Sequence, residues 1–306
     1  MDVKNIAVVG CGVIGASWAA YFLARGFSVT AYDPSETAET HLRELVDSFW
    51  PALVEQGLDP SADRQRLVFC KSVADAVRNA DFIQENAPER LTIKHQLLAE
   101  MEAAARPDVI ISSSSSGLLI SDIQQPAMHP ERIVLGHPFN PPHLIPLVEV
   151  IGGKLTSSDS VQKTLAFYQR IGKKPIHVRA EVKGHVANRL QAALWREAFY
   201  LVEQGVISVA DLDVAISEGP GLRWALLGPF LNLHLSGGEA GIAHTLEHLG
   251  PPIEDWWADL GTAKLTPELI QKVVAGVNDE LQSMDQGDLV NKRDRLLAGL
   301  LRAKEG

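Results

Sequence analysis

Cysteine is scarce in this 306-residue chain. Cys11 and Cys70 stand alone and neither belongs to a CxxC pair. A disulfide framework or a structural zinc site therefore has nothing to be built from, and a reducing, cytoplasmic setting is expected. Long apolar runs are missing too. No stretch approaches the roughly 20 residues that cross a bilayer, and the opening MDVKNIAVVG lacks the apolar core and cleavage site of a signal peptide. No membrane partner is expected. Positive charge is in deficit, 28 Lys and Arg against 38 Asp and Glu, for a net charge of −10. Phosphate contacts need clustered cations, so nucleic acid is not an expected partner either. His244 and His248 have helical spacing for a metal, but HExxH and a third ligand are absent, and no metal is expected.

What the chain does have is alternation. It is 46% hydrophobic, which is globular. Apolar, β-branched runs at 6–10, 27–33, 67–70, 81–86, 108–113, 132–137, 147–152 and 175–179 predict strands. Helical periodicity fills 13–26, 36–57 (two helices, or one kinked at Pro51), 72–79, 89–105 and 157–171. Strand–helix alternation of this kind predicts a Rossmann-type α/β fold with a doubly wound, mainly parallel sheet. From residue 184 onward only helical periodicity remains, broken by Gly and Pro at 219–221, 228–229, 237–238 and 250–252. The expected organisation is a Rossmann-like domain over 1–183 and an all-helical C-terminal domain over 184–306.

The first predicted turn reads Gly10-Cys11-Gly12-Val13-Ile14-Gly15, between a strand and a helix. Gly10 allows a tight turn, Gly12 lets backbone approach a pyrophosphate, and Gly15 lets helix and strand pack closely. The helix N-terminus offers its free N–H groups to phosphate. Asp33 ends the second strand at the spacing that suits a ribose hydroxyl pair. Its charge opposes a 2′-phosphate, so NAD is expected rather than NADP.

His137 ends a strand, where α/β proteins place their sites, and Glu149 lies in the next strand. Oxidising a secondary alcohol to a ketone requires a base for the hydroxyl proton as hydride leaves carbon, and an imidazole oriented by a carboxylate suits that task. From spacing alone a core histidine and an unrelated strand glutamate are the better reading.

The segments VVGCGVIGASWA, ENAPERLTIK, SSSSSGLLISDI, GHPFNPPHLIPLVEV, GHVANRLQ and GPGLRWALLGPF, in that order, resemble the L-3-hydroxyacyl-CoA dehydrogenase superfamily over nearly the whole chain. The resemblance is strongest to its branch of carnitine dehydrogenase, L-gulonate 3-dehydrogenase and lambda-crystallin. It implies His137 as catalytic base, Glu149 as its partner, and Ser116 and Asn188 on the substrate oxygen. Glu89 and Lys94 would lie near the nicotinamide, and the C-terminal helices would form a homodimer. One serine of the run 112–116 thus receives a chemical role, and the run is not a linker. Gly117, where the relatives carry serine, is left without a reason.

Two departures bear on substrate. The acyl-CoA enzymes carry lysine-rich helices after the second strand, but residues 34–63 here hold seven acids and only Arg43 as a cation. That opposes a CoA tail. The second departure is Arg223-Trp224, where the acyl-CoA enzymes have a small apolar stretch. Arg223 can grip a free carboxylate through two parallel bonds, and Trp224 can face a quaternary ammonium. Packing or an interface would explain the pair as well. The expected substrate is a small free 3-hydroxy acid: carnitine first, L-gulonate second, an acyl-CoA third. A non-catalytic, crystallin-like protein is the rival of another class.

Overall fold

The structure, a computed structural model, describes residues 3–282 and 284–305. The chain forms two compact units. One comprises Met1–Arg189 with Asp294–Arg302, the other Leu190–Arg293 with Ala303–Gly306.

In the first unit the apolar runs become eight strands: β1 (Asn5–Val9), β2 (Ser28–Tyr32), β3 (Leu67–Phe69), β4 (Phe82–Glu85), β5 (Ile110–Ser113), β6 (Ile133–Pro138), β7 (Leu147–Gly152) and β8 (Lys174–Val178). They form one sheet in the order β3-β2-β1-β4-β5-β6-β7-β8. Every neighbouring pair is parallel except β6 and β7. That exception has a simple cause. Parallel neighbours need a crossover, usually a helix, whereas only the loop 139–146 joins β6 to β7.

Six helices flank this sheet: α1 (Val13–Ala24), α2 (Ala38–Gln56), α3 (Val73–Val77), α4 (Leu91–Ala104), α5 (Ile120–Ile123) and α6 (Ser158–Arg170). Residues of α1, α2 and α6 share one core cluster, in which Trp18 stacks on Phe22 at 5.1 Å and on Tyr168 at 5.6 Å. Residues of α3, α4 and α5 share the other. Strand order reverses beside β1, which lies between β2 and β4, and ligands of open α/β sheets bind at such a switch point. α2 is one helix through Pro51. Leu42, Val46 and Leu53 on either side of Pro51 are buried in the same core, so packing outweighs the lost N–H.

The second unit is helical: α7 (Ala187–Glu203), α8 (Val209–Ser217), α9 (Pro220–Leu226), α10 (Pro229–Ser236), α11 (Gly241–Asp259), α12 (Pro267–Leu281) and α13 (Gln286–Glu305). α7 starts in the first unit, and part of α13 belongs to it. α9 and α10 each begin with glycine then proline, the first helical position being where proline's missing N–H costs nothing. The break expected at 250–252 does not occur. α11 continues through Pro251 and Pro252, because proline's fixed φ is itself helical and only the two donors are lost.

Candidate active site

The structure demands glycine at two of the three fingerprint positions and leaves the third open. Gly10 has φ +92, and a Cβ there would lie 2.7 Å from the Asn86 backbone. A Cβ on Gly15 would lie 1.9 Å from the Gly10 carbonyl oxygen, so α1 packs directly on the turn. A Cβ on Gly12 would meet nothing within 4 Å. Gly12 is open, and it caps α1 without a side-chain bond. The first N–H groups of α1 are therefore left for an anion. Val13 stands at the exposed rim, 52% accessible, while Ile14 packs on the core.

Asp33 follows β2 and accepts the Cys11 N–H at 2.9 Å and the Ser35 N–H at 3.0 Å. Its carboxylate is thereby anchored beside the glycine turn. An open cradle, free helix N–H groups and a fixed acid at the second strand's end fit a dinucleotide without a 2′-phosphate. Burial first, and then the Asp33 charge, push the Cys11 thiol up to about 12. It is a packing residue and no nucleophile.

The serine run lies at the end of β5, and each of its five side chains has a partner. Ser112 bonds the Tyr168 hydroxyl at 2.8 Å. Ser113 donates to Glu85 at 2.5 Å. Ser114 donates to Asn86 at 2.7 Å and accepts from Gln84 at 2.9 Å. Ser115 donates to Glu89 at 2.5 Å, and Ser116 bonds His137 at 3.1 Å. Glu89 also accepts the Gly117 and Leu118 N–H groups at 2.7 and 2.9 Å. Burial alone would raise its pKa. The Ser115 hydroxyl, these two amides and the Lys94 charge outweigh it and hold the carboxyl below the usual range. A Cβ on Gly117 would meet only Glu89 Oε1, at an ordinary 3.6 Å, so space does not demand the glycine.

Lys94 turns inward. It is buried and donates to Glu85 at 2.8 and 3.0 Å and to the Ala87 carbonyl at 3.1 Å. Glu85, invisible to motif reasoning, is thus its direct partner. Register explains Glu85, since Glu85 and Ser113 pair across β4 and β5.

His137 and Glu149 are cross-strand neighbours in the one antiparallel pair. Directly opposed residues on one face lie within side-chain reach. His137 Nδ1 bonds Glu149 Oε2 at 2.8 Å with both groups buried. Glu149 Oε1 accepts the Val186 and Ala187 N–H groups at 2.9 and 3.0 Å, where the chain enters α7. Burial acts to raise the Glu149 pKa. The bond from His137 and then the Ala187 and Val186 amides overcome it, leaving the carboxyl below its usual range. An ionised Glu149 can only accept. Nδ1 therefore carries the proton, and Nε2, facing the Ser116 hydroxyl, carries the lone pair. That nitrogen can take a proton while Glu149 balances the imidazolium. Asn188 follows in the first turn of α7, and no hydrogen bond holds its side-chain amide among the described residues.

Arg223 and Trp224 lie in α9 of the helical unit. Arg223 is exposed, with no carboxylate paired to it among the described residues, and Trp224 is 47% exposed.

A dinucleotide cradle and a serine–histidine–glutamate chain, its histidine and glutamate buried, on one mainly parallel sheet define an NAD-dependent dehydrogenase that acts on CH–OH groups. Residues 5–182 match the NAD-binding domain of 3-hydroxyacyl-CoA dehydrogenase and residues 184–276 match its C-terminal domain; the chain belongs to that family. It is 48% identical to an L-carnitine dehydrogenase of Streptomyces coelicolor over 99% of this chain and 95% of that one. To an L-carnitine dehydrogenase of Pseudomonas aeruginosa it is 47% identical over 99% and 94%. Among solved structures it is similar to a 5-formyl-3-hydroxy-2-methylpyridine 4-carboxylic acid 5-dehydrogenase, an NAD+ dependent dismutase. That match has a TM-score of 0.88, 32% identity and 99% coverage of both chains.

Proposed function

We propose that this protein oxidises the 3-hydroxyl of L-carnitine to 3-dehydrocarnitine with NAD. The observation that carries the reading is identity of 46–48% to L-carnitine dehydrogenases over nearly the full chain, with the Ser116–His137–Glu149 chain complete. Gly10, Gly12, Val13, Ile14 and Gly15 would hold the pyrophosphate, Asp33 the adenosine ribose, and Glu89 the nicotinamide side, with Lys94 behind it. Bound NAD supplies the acceptor for the hydride from carbon 3.

The chain's own residues handle the proton and the orientation. His137 Nε2 takes the hydroxyl proton. Glu149, held anionic by the α7 amides, keeps the ring turned and balances its charge. Ser116 and Asn188 hold the substrate oxygen, so that the charge developing there meets hydrogen-bond donors already in position. In this reading Arg223 binds the carboxylate and Trp224 faces the trimethylammonium. The substrate name of the dismutase also contains a carboxylic acid, in keeping with a cationic carboxylate site and with the acidic 34–63 segment that disfavours CoA.

The same reading assigns 1–183 to the cofactor and 184–306 to substrate and dimer contacts, in a cytoplasmic enzyme. A second copy of this chain would cover Leu222, Phe230, Leu231 and Leu235, each more than half exposed. NADH formation is to be measured with L-carnitine, L-gulonate, 3-hydroxybutyrate and 3-hydroxybutyryl-CoA. Turnover is expected with L-carnitine above the others. Preference for the CoA ester would overturn the free-acid assignment, and no turnover despite NAD binding would favour the crystallin-like alternative.

A further inference from the structure

His185 is the one described residue other than glycine with a positive φ, at +51. It is 2% exposed, and its ring centroid lies 5.0 Å from that of His137. Its Nε2 bonds the Ser115 carbonyl at 3.2 Å. A carbonyl only accepts, so Nε2 carries the hydrogen and Nδ1 is the bare nitrogen. Nδ1 is buried without a partner.

Two consequences meet at this residue. Its side chain ties the turn before α7 to the peptide that precedes Ser116. Its left-handed backbone directs the chain so that the next two amides, of Val186 and Ala187, reach Glu149 Oε1. The Ser116 end and the Glu149 end of the histidine chain are thus held by one residue. We infer that His185 is a positioning residue for His137: a second imidazole that locks Ser116 and Glu149 to the same turn. This rests on the reading of His137 as the base.

The charged and titratable groups that face His185 are His137 on β6, Glu149 on β7 and Glu89 after β4. Protonation would place an N–H at Nδ1 with no acceptor and a second cation beside His137. Burial pushes the His185 imidazole below the usual histidine range, the Ser115 carbonyl opposes this, and His137 adds to it. The proton taken from substrate then has one imidazole to reside on.

Two measurements test the inference. Ring-nitrogen NMR of the wild-type protein should show His185 still as the neutral Nε2–H tautomer at the ordinary histidine midpoint of about pH 6.5. Titration at that ordinary midpoint would overturn it. His185→Asn keeps a residue that tolerates the left-handed region. It should lower kcat about tenfold, equivalent to about 1.4 kcal/mol, with KM for NAD within about twofold. Coupled residues are non-additive, so in a Ser116→Ala background the same change should cost under about threefold. Wild-type kcat in His185→Asn, or losses that multiply, would overturn the inference. If the wild-type protein does not oxidise L-carnitine, the functional reading fails, and the NMR result still decides whether His185 is held neutral.

Discussion

In the sheet-bearing unit Lys94, Glu85, Ser113, Ser115 and Glu149 are buried polar groups, and each is bonded to a named neighbour. In the helical unit the large side chains Trp224, Phe230, Leu235, Trp256 and Trp257 are 47% to 73% exposed. The contrast separates two kinds of specificity. Unpaired buried charge is costly, so the bonds among these groups hold the site of the first unit in one arrangement. Contiguous apolar exposure marks a surface that awaits a partner or ligand. In the proposed reading the proton chemistry falls to the first unit, and substrate choice and assembly fall to the second.

The largest expected effect breaks the first unit's side of the comparison. His137→Ala should lower kcat by about 10²–10⁴-fold, the range of general base catalysis, while NAD affinity by fluorescence titration stays within about twofold. Unchanged turnover would remove His137 from the reaction. Glu149→Gln should follow at about 10²-fold. It keeps the shape but loses the anion that fixes the Nδ1–H tautomer, and wild-type kcat would show that the charge is unnecessary.

In the second unit, Arg223→Ala should raise KM for L-carnitine about 10-fold or more, as expected for a lost charged hydrogen bond of about 1.5–3 kcal/mol, with kcat little altered. An unmoved KM would leave Arg223 structural. Phe230→Asp should shift a dimer toward monomer in light scattering without altering NAD affinity. A mass unaffected by the change would place the interface elsewhere.

The smallest effect is a slope. His185 has a folded-state pKa below its unfolded value. Below about pH 6.5 the unfolded chain takes a proton that the folded chain refuses, so stability falls as pH falls, by at most about 1.4 kcal/mol per pH unit. The loss ends once pH passes below the folded-state value. Denaturant unfolding of wild type and His185→Asn at neutral and mildly acid pH should differ by that slope. Parallel curves would mean that His185 titrates alike in both states.

Strand and helix positions in the first unit were legible because apolar periodicity there coincides with burial. α5, Ile120–Ile123, was not, since one helical turn is too short to show a period. The continuity of α11 through Pro251 and Pro252 was not legible for another reason: Gly250-Pro251-Pro252 has the composition of a break, and only the structure shows the helix running through it. At the site, the glycine fingerprint and Asp33 could be read because their spacing is local. His137 and Glu149 were suggestive as a pair only through the resemblance, and the antiparallel register explains why they meet. Glu85, Ser113 and Ser115 carry no local signal, because their partners lie on other strands and loops. His185 stood in plain sight in GHVANRLQ, but a left-handed backbone at a non-glycine residue leaves no mark on a sequence.

The central claim is that a family built for acyl-CoA chemistry here serves a free, zwitterionic 3-hydroxy acid. The most direct test is the ratio of kcat/KM for L-carnitine to that for 3-hydroxybutyryl-CoA, both with NAD. The acidic 34–63 segment and the exposed Arg223 predict a ratio well above one; a ratio below one, or turnover of the CoA ester alone, would contradict the account.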